Sequence, residues 1–227
     1  MAVVGKLLSW VFPFRIKRLE GKLTKVLEVT FENGKKVLNA GEVNYSYGAL
    51  HAIFRIALNK ANIITNSPSN VLILGFGAGS IASILVDEFG QDPILIGVEA
   101  DPVVLQLARQ EFNIERFLKL ELFNCTAELF MSDTIQKIPS NKFDLIAVDV
   151  FVEGVVPGSI MNINFLESLY KHLNLNGVVV FNEMPVSNFS DEDDFSKKFK
   201  SIFDESEIHL IGISDTPNRI FIGKRKN

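Results

Sequence analysis

The chain of 227 residues has a single cysteine, Cys125, and three histidines, His51, His172 and His209. One thiol forms no internal disulfide, and histidines this far apart have no paired metal-ligand spacing. A disulfide scaffold and a multi-cysteine metal cluster are therefore excluded, no metal site is expected, and the chain suits a reducing, cytoplasmic compartment. Cations are also in deficit, with 23 Lys and Arg against 27 Asp and Glu for a formal net charge of -4. A phosphate backbone needs clustered cations, so no nucleic-acid partner is expected. The basic tail Lys224-Arg225-Lys226 is short and terminal, and reads as a solubilising end. No stretch approaches the length of a membrane-spanning helix, so no integral membrane association is expected.

What the chain does have is apolar residues, 47% of the total, enough to bury a full core. Near the N-terminus Val3, Val4, Leu7, Leu8, Val11 and Phe12 recur at helical spacing. Pro13 breaks this run, no small-residue cleavage site follows, and Arg15, Lys17 and Arg18 come next; it reads as a helix packed on the domain or on a second subunit. From about Leu19 to Glu42 the residues are those of short strands, and Asn33-Gly34 supplies a two-residue hairpin turn. Apolar residues between Tyr45 and Ala61 follow helical spacing, and Asn66-Ser67-Pro68-Ser69-Asn70 punctuates the chain.

Strands and helices then alternate. Strands are expected at Val71–Leu74, Ile94–Val98, Leu118–Phe123, Phe143–Val150 and Val178–Phe181. Helices are expected at Ser80–Phe89, from Pro102 to about Phe112, from Ala127 to about Ile138, and around Phe165–Leu173 with closure at Asn176-Gly177. A last helix is capped by Ser190 and reaches Phe203. Two final strands cover about Glu207–Ile213 and Arg219–Gly223, and the link between them is too short for a helical crossover, so the final strand returns antiparallel. The expectation is an α/β fold: a doubly wound, mostly parallel seven-stranded sheet with an antiparallel last strand, preceded by a small N-terminal β ribbon. Residues 1–60 would form the N-terminal helix, ribbon and linking helix, and 61–227 the nucleoside-binding unit.

The most informative phrase is Val71-Leu72-Ile73-Leu74 followed by Gly75-Phe76-Gly77-Ala78-Gly79-Ser80, a helical stretch, and Ile94 to Glu99. A buried strand entering a glycine turn and a helix, then a second strand ending in an acid, builds a nucleoside pocket. Gly75, Gly77 and Gly79 let backbone touch a ligand, and the Glu99 carboxylate can accept hydrogen bonds from both ribose hydroxyls. The later glycine of the dinucleotide fingerprint is missing, which favours an adenosyl cofactor without a pyrophosphate. Phe76 either packs over that cofactor or covers the core.

This order of elements resembles the class I S-adenosylmethionine-dependent methyltransferase fold, and within it the spermidine synthase family. The likeness covers most of the chain from about Leu19: the ribbon, Tyr45-Ser46-Tyr47, the glycine loop, Val98-Glu99-Ala100-Asp101 and the strand ending at Asp149. It implies S-adenosyl-L-methionine as cofactor, with Gly75, Gly77 and Gly79 under its amino-acid tail and Glu99 on the ribose. Ala100, Asn124 and Cys125 line its adenine side, and Asp149 lies at its cationic end as the catalytic acid of a D-x-x-D segment. Tyr47 would belong to the substrate pocket, and dimerisation would use the N-terminal region.

Departures from the pattern bear on the reaction. The second acid of D-x-x-D falls at Val152, with Glu153 one residue on as a substitute. The polar pair after the tyrosine is replaced by Gly48 and Ala49, and a glycine-aspartate pair by Asn124-Cys125. A polyamine must be held by carboxylates and deprotonated before it attacks, whereas methyl transfer to a small-molecule acceptor asks less of the protein. Methyl transfer is thus the first expectation. Aminopropyl transfer through Asp149 and Glu153, and a non-catalytic adenosyl-binding protein, are the alternatives.

Overall fold

The computed structural model describes residues 9–41, 43–138, 141–183, 193–212 and 217–226. Two sheets form the frame. The first is antiparallel, in the order β1 (Phe14–Leu19), β2 (Leu27–Glu32), β3 (Lys35–Ala40), β4 (Val43–Ser46). Asn33 (φ 49) and Gly34 (φ 75) turn β2 into β3 with the two positive φ angles that a tight hairpin needs. The expected ribbon is thus the middle of a four-stranded sheet. Its edge strand β1 escapes sequence reading because Phe14 and Ile16 are exposed and interleave with Arg15, Lys17 and Arg18, so alternation marks no buried face. Of the N-terminal apolar run, residues 1–8 lie outside the described residues, and residues 9–12 form a turn rather than a helix.

The second sheet has seven strands: β5 (Asn70–Leu74), β6 (Ile94–Val98), β7 (Leu120–Phe123), β8 (Phe143–Val148), β9 (Leu173–Glu183), β10 (Glu205–Ile211) and β11 (Asn218–Lys224). Their order is β10-β11-β9-β8-β5-β6-β7, and among the described strands of this sheet β11 runs opposite to the other six. Central β5 is apolar throughout Val71–Leu74 because helices cover both faces. Leu27, Val29 and Leu38 of the first sheet share one hydrophobic cluster with Val71, Ile73 and Val180. A second cluster, on the opposite face, gathers Phe181, Phe195, Phe199 and Phe221.

The helices are α1 (Gly48–Lys60), α2 (Ile63–Asn66), α3 (Ser80–Ser83, continued by a π-helical turn to Glu88), α4 (Pro102–Phe112), α5 (Ala127–Ser132), α6 (Ile163–His172) and α7 (Asp194–Ile202). Asp101 caps α4 through Val103 N–H at 2.9 Å, with Pro102 in the first turn. Three expectations shift. Helix α1 starts at Gly48 because Tyr45 and Ser46 belong to β4. The cap of α7 is Asp193, which accepts from Ser196 N–H at 2.8 Å, while Ser190 lies outside the described residues. Asn176-Gly177 does not close α6; β9 begins at Leu173, and Asn176 (φ 64) bulges within it, held by Arg225 carbonyl at 2.8 Å. No helix among the described residues is long and apolar enough to cross a membrane.

Candidate adenosyl-binding site

Strand β5 delivers the chain to Gly75, which admits no side chain: φ is 82 and a Cβ would stand 2.1 Å from the Asp149 carbonyl oxygen. The loop is then stitched from within. Gly75 and Phe76 N–H donate to Val98 carbonyl at 2.9 and 2.8 Å, Gly77 N–H to Glu99 Oε2 at 3.0 Å, Ala78 N–H to Ser46 Oγ at 3.1 Å, and Gly79 N–H to Phe76 carbonyl at 3.0 Å. Every backbone donor from Gly75 to Gly79 therefore has a partner. A cradle for phosphates would leave such donors free. Phe76 is buried against Gly97 and Gly79, so it packs in the core.

Glu99, just past β6, is 3% exposed. Besides Gly77 it accepts from Asp101 N–H at 2.9 Å and from the Tyr45 hydroxyl at 3.3 Å. Burial raises its carboxyl above the ordinary range, and the Asp101 and Gly77 amides oppose that rise. Asp149, just past β8, accepts from Asn182 Nδ2 at 2.8 Å. Burial carries its pKa up to about 7, against the Asn182 hydrogen bond and with help from the Glu99 charge. Tyr45 is buried beside both acids and titrates well above its ordinary value, chiefly from burial and then from Glu99.

These groups line one hollow with Gly75, Ala100 and Cys125, closed by Leu23, Phe151 and Val152. Asp101 builds its roof as well as capping α4, because its Oδ2 takes Leu23 N–H at 2.9 Å and so pins the β1–β2 loop overhead. The Tyr45 ring lies 5.0 Å from that of Phe151, and only about 40 Å³ is open between the walls. A nucleoside needs several times that volume, so Tyr45 and the loop above it must move for one to enter. Burial raises the Cys125 thiol, which leaves it a wall rather than a nucleophile. Asn124 spends its amide on the carbonyls of Glu99 (2.8 Å) and Ala100 (3.0 Å), tying the ends of β6 and β7 together.

Two residues expected at the substrate end are elsewhere. Glu153 (φ 49) is at a tight turn, where Val152 and Val155 exchange backbone hydrogen bonds, and its carboxylate faces Lys25 at 3.5 Å. Tyr47 stacks between His51 (5.4 Å) and Phe112 (5.2 Å) and lines a separate, larger cleft of about 1020 Å³ bounded by Trp10, Lys36 and Arg116. Sequence reasoning overlooked Tyr45 as a wall residue, and also Asn182 and Asn218. Tyr45 was legible as part of Tyr45-Ser46-Tyr47, whereas Asn182 meets Asp149, and Asn218 meets Asn182, only through strand order.

No protein-family model matches the chain. Among curated proteins, a polyamine aminopropyltransferase of Vibrio vulnificus is 28% identical over 151 residues, 66% of this chain and 49% of that protein. A solved structure of a probable spermidine synthase from Corynebacterium glutamicum matches with a TM-score of 0.75 at 18% identity, over 92% of this chain and 79% of that one. In sequence and in fold the chain is spermidine synthase-like. A probable polyamine aminopropyl transferase of Bifidobacterium longum is 26% identical over 73% of this chain and 36% of that protein. This spermidine synthase-like chain thus spans about half or less of the length of the curated relatives it matches. Human methyltransferase-like protein 13, solved with SAH, shares the core fold with a TM-score of 0.63 at 20% identity, over 78% of this chain and 82% of that one.

Proposed function

We propose that this spermidine synthase-like chain binds an S-adenosyl sulfonium and moves an alkyl group from it to an amine, with aminopropyl transfer ahead of the methyl transfer expected from sequence. One observation carries the reading. Two buried carboxylates, Glu99 and Asp149, line one hollow with no lysine, arginine or histidine among its described walls. Buried anions without a counter-charge are costly, and a cationic ligand relieves that cost. The decarboxylated cofactor brings a sulfonium and an ammonium. S-adenosylmethionine adds a carboxylate, which neither this lining nor the engaged glycine loop can pair. The curated relatives, described as polyamine aminopropyltransferases, support the same order.

When bound, the sulfonium supplies an activated electrophilic carbon. Glu99 would hold the ribose: a carboxylate offers about four acceptor positions, and replacing the Tyr45 hydroxyl leaves room for both ribose hydroxyls. Asp149, with its pKa pushed up to about 7, takes the proton from the attacking ammonium. The closed walls exclude water from the reacting groups.

Methyl transfer stands second because of Val152 and Glu153. The far ammonium of a diamine would meet the Val152 side chain, and Glu153 faces Lys25 instead. A monoamine acceptor avoids this conflict.

Calorimetry with S-adenosylmethionine, its decarboxylated form and S-adenosylhomocysteine tests the cofactor. The decarboxylated form should bind tightest and, with an amine panel, release methylthioadenosine. Labelled methyl transfer without that release would move the assignment to methyl transfer, and binding of none of the three would remove the adenosyl reading altogether.

A further inference from the structure

We propose that Asn182 and Asn218 are positioning residues that hold the Asp149 carboxyl as a one-sided proton acceptor, a role that rests on Asp149 serving as base of the transferase proposed above. Val148 pairs with Phe181, so the next residues, Asp149 and Asn182, stand side by side where β8 and β9 end. Asn182 Nδ2 donates to Asp149 Oδ1 at 2.8 Å, and Asn218 Nδ2 donates to Asn182 Oδ1 at 2.9 Å. All three side chains are buried, at 9%, 1% and 6% exposure. The row crosses three strands amid Val180, Phe181, Ile220 and Phe221, where an apolar side chain would be the ordinary occupant.

The direction of the row is dictated by chemistry. An ionised carboxylate only accepts, so Asn182 must turn its NH₂ toward Asp149 and its carbonyl toward Asn218, whose NH₂ must face that carbonyl. Among the described residues Asn182 is the hydrogen-bond partner of the Asp149 side chain, and it takes Oδ1. Oδ2 remains for the substrate. In the step, an N–H bond of the ammonium breaks, its electron pair stays on nitrogen, the proton bonds to Oδ2, and Asp149 becomes a neutral acid. Around Asp149 stand Glu99 from the end of β6, the Tyr45 hydroxyl from β4 and the Cys125 thiol past β7. Burial and the Glu99 charge favour the protonated acid, and the Asn182 amide favours the anion. Without Asn218, the Asn182 carbonyl loses its partner and its amide is free to rotate away from the geometry that supports the anion.

The test is a pH–rate profile for Asn182→Leu and Asn218→Leu, paired with a carboxyl NMR titration of Asp149 in ligand-free protein labelled at aspartate, the resonance assigned through Asp149→Asn. Asn182→Leu should raise both midpoints by about one pH unit, lowering the rate at pH 7 roughly fivefold with recovery toward alkaline pH. Asn218→Leu should move them the same way by less. If Asn182→Leu does not fold, Asn218→Ser carries the comparison. Folded variants whose midpoints stay in place would overturn the relay. An NMR midpoint that rises in a protein binding no adenosyl compound would sustain the relay and remove the transferase reading instead.

Discussion

Two hollows in this molecule differ in size and in charge, and charge is the better guide to chemistry. The large cleft, about 1020 Å³, is balanced: His51 meets Glu88 at 2.6 Å, Lys36 meets Glu111 at 2.9 Å, and Arg116 meets Asp87 at 2.7 Å. Burial alone would raise Asp87, yet hydrogen bonds from Arg116 and Ser83 hold it below the ordinary range. The hollow around Glu99 is nearly closed, and its two acids have no cation among the described walls. A satisfied cleft makes no demand on a ligand. A pair of buried acids without a counter-charge does, and displaced pKa values are a common sign of a working site.

The comparison breaks most visibly at Asp149. Asp149→Asn keeps an acceptor for Asn182 but takes no proton, so turnover should fall by roughly 10²–10⁴-fold. Stability should move the other way. With its pKa raised from the ordinary 3.8 to about 7, the folded chain keeps a proton that the unfolded chain has released. The stability tied to this group is complete below about pH 4 and is lost as pH rises through about 7. Urea unfolding at pH 8 should therefore find Asp149→Asn more stable than the parent by up to roughly 4 kcal/mol, with the gap closing toward pH 4. A variant less stable at both pH values would mean that the carboxylate is compensated when folded.

Backbone slack separates the two regions next. Gly75→Ala drives a Cβ to 2.1 Å from the Asp149 carbonyl oxygen at φ +82, and should cost about 3 kcal/mol or more. Gly34→Ala, at φ +75 beside the large cleft, meets only the Trp10 ring at 3.2 Å, which is largely exposed and can give way. About 1 kcal/mol is expected there. Chemical denaturation of both variants checks the ratio, and equal losses would show that the small hollow is no tighter than the large one.

Charge removal comes third. Glu99→Gln should weaken binding of the decarboxylated cofactor by roughly 10–100-fold, the worth of hydrogen bonds to a charged group. Glu88→Gln, in the balanced cleft, should leave it within about twofold. Calorimetry decides, and a large effect from Glu88 would shift the ligand to the other hollow.

How much of this was legible in sequence depended on where each residue's partners lie. Gly75, Gly77, Gly79 and Glu99 belong to one strand–turn–helix–strand phrase, so the spacing itself brings them together. Helix α4 announced its start through Pro102 and runs to Phe112 as expected. Strand β1 did not, because the alternation of Phe14 and Ile16 with Arg15 and Lys17 marks no buried face. Asn176-Gly177 resembles a helix stop and is a bulge inside β9, since a positive φ serves either purpose. The direction of Glu153 was hidden for a similar reason: its position in a two-residue turn, rather than its distance from Asp149 along the chain, aims it at Lys25. Asn182 reaches Asp149 only once β9 pairs with β8, and Asn218 reaches Asn182 only once β11 is inserted beside β9, an order that composition does not encode.

The smallest effect concerns the tyrosine that closes the site. Tyr45→Phe removes one donor from Glu99, returning an acceptor position that a ribose hydroxyl would otherwise have to win from the phenol. At 3.3 Å the bond from the phenol to the Glu99 carboxylate is long and worth about 1 kcal/mol, and its loss from the free protein alone should tighten adenosyl binding by roughly threefold to fivefold. Tyr47→Phe supplies the control from the large cleft. Its hydroxyl reaches the Gly79 carbonyl only at 3.5 Å, too long to contribute much, and it should leave affinity unchanged. Should Tyr45→Phe bind more weakly than the parent, the hydroxyl would be a contact made in the complex, and the closed hollow would open by displacing the β1–β2 loop instead.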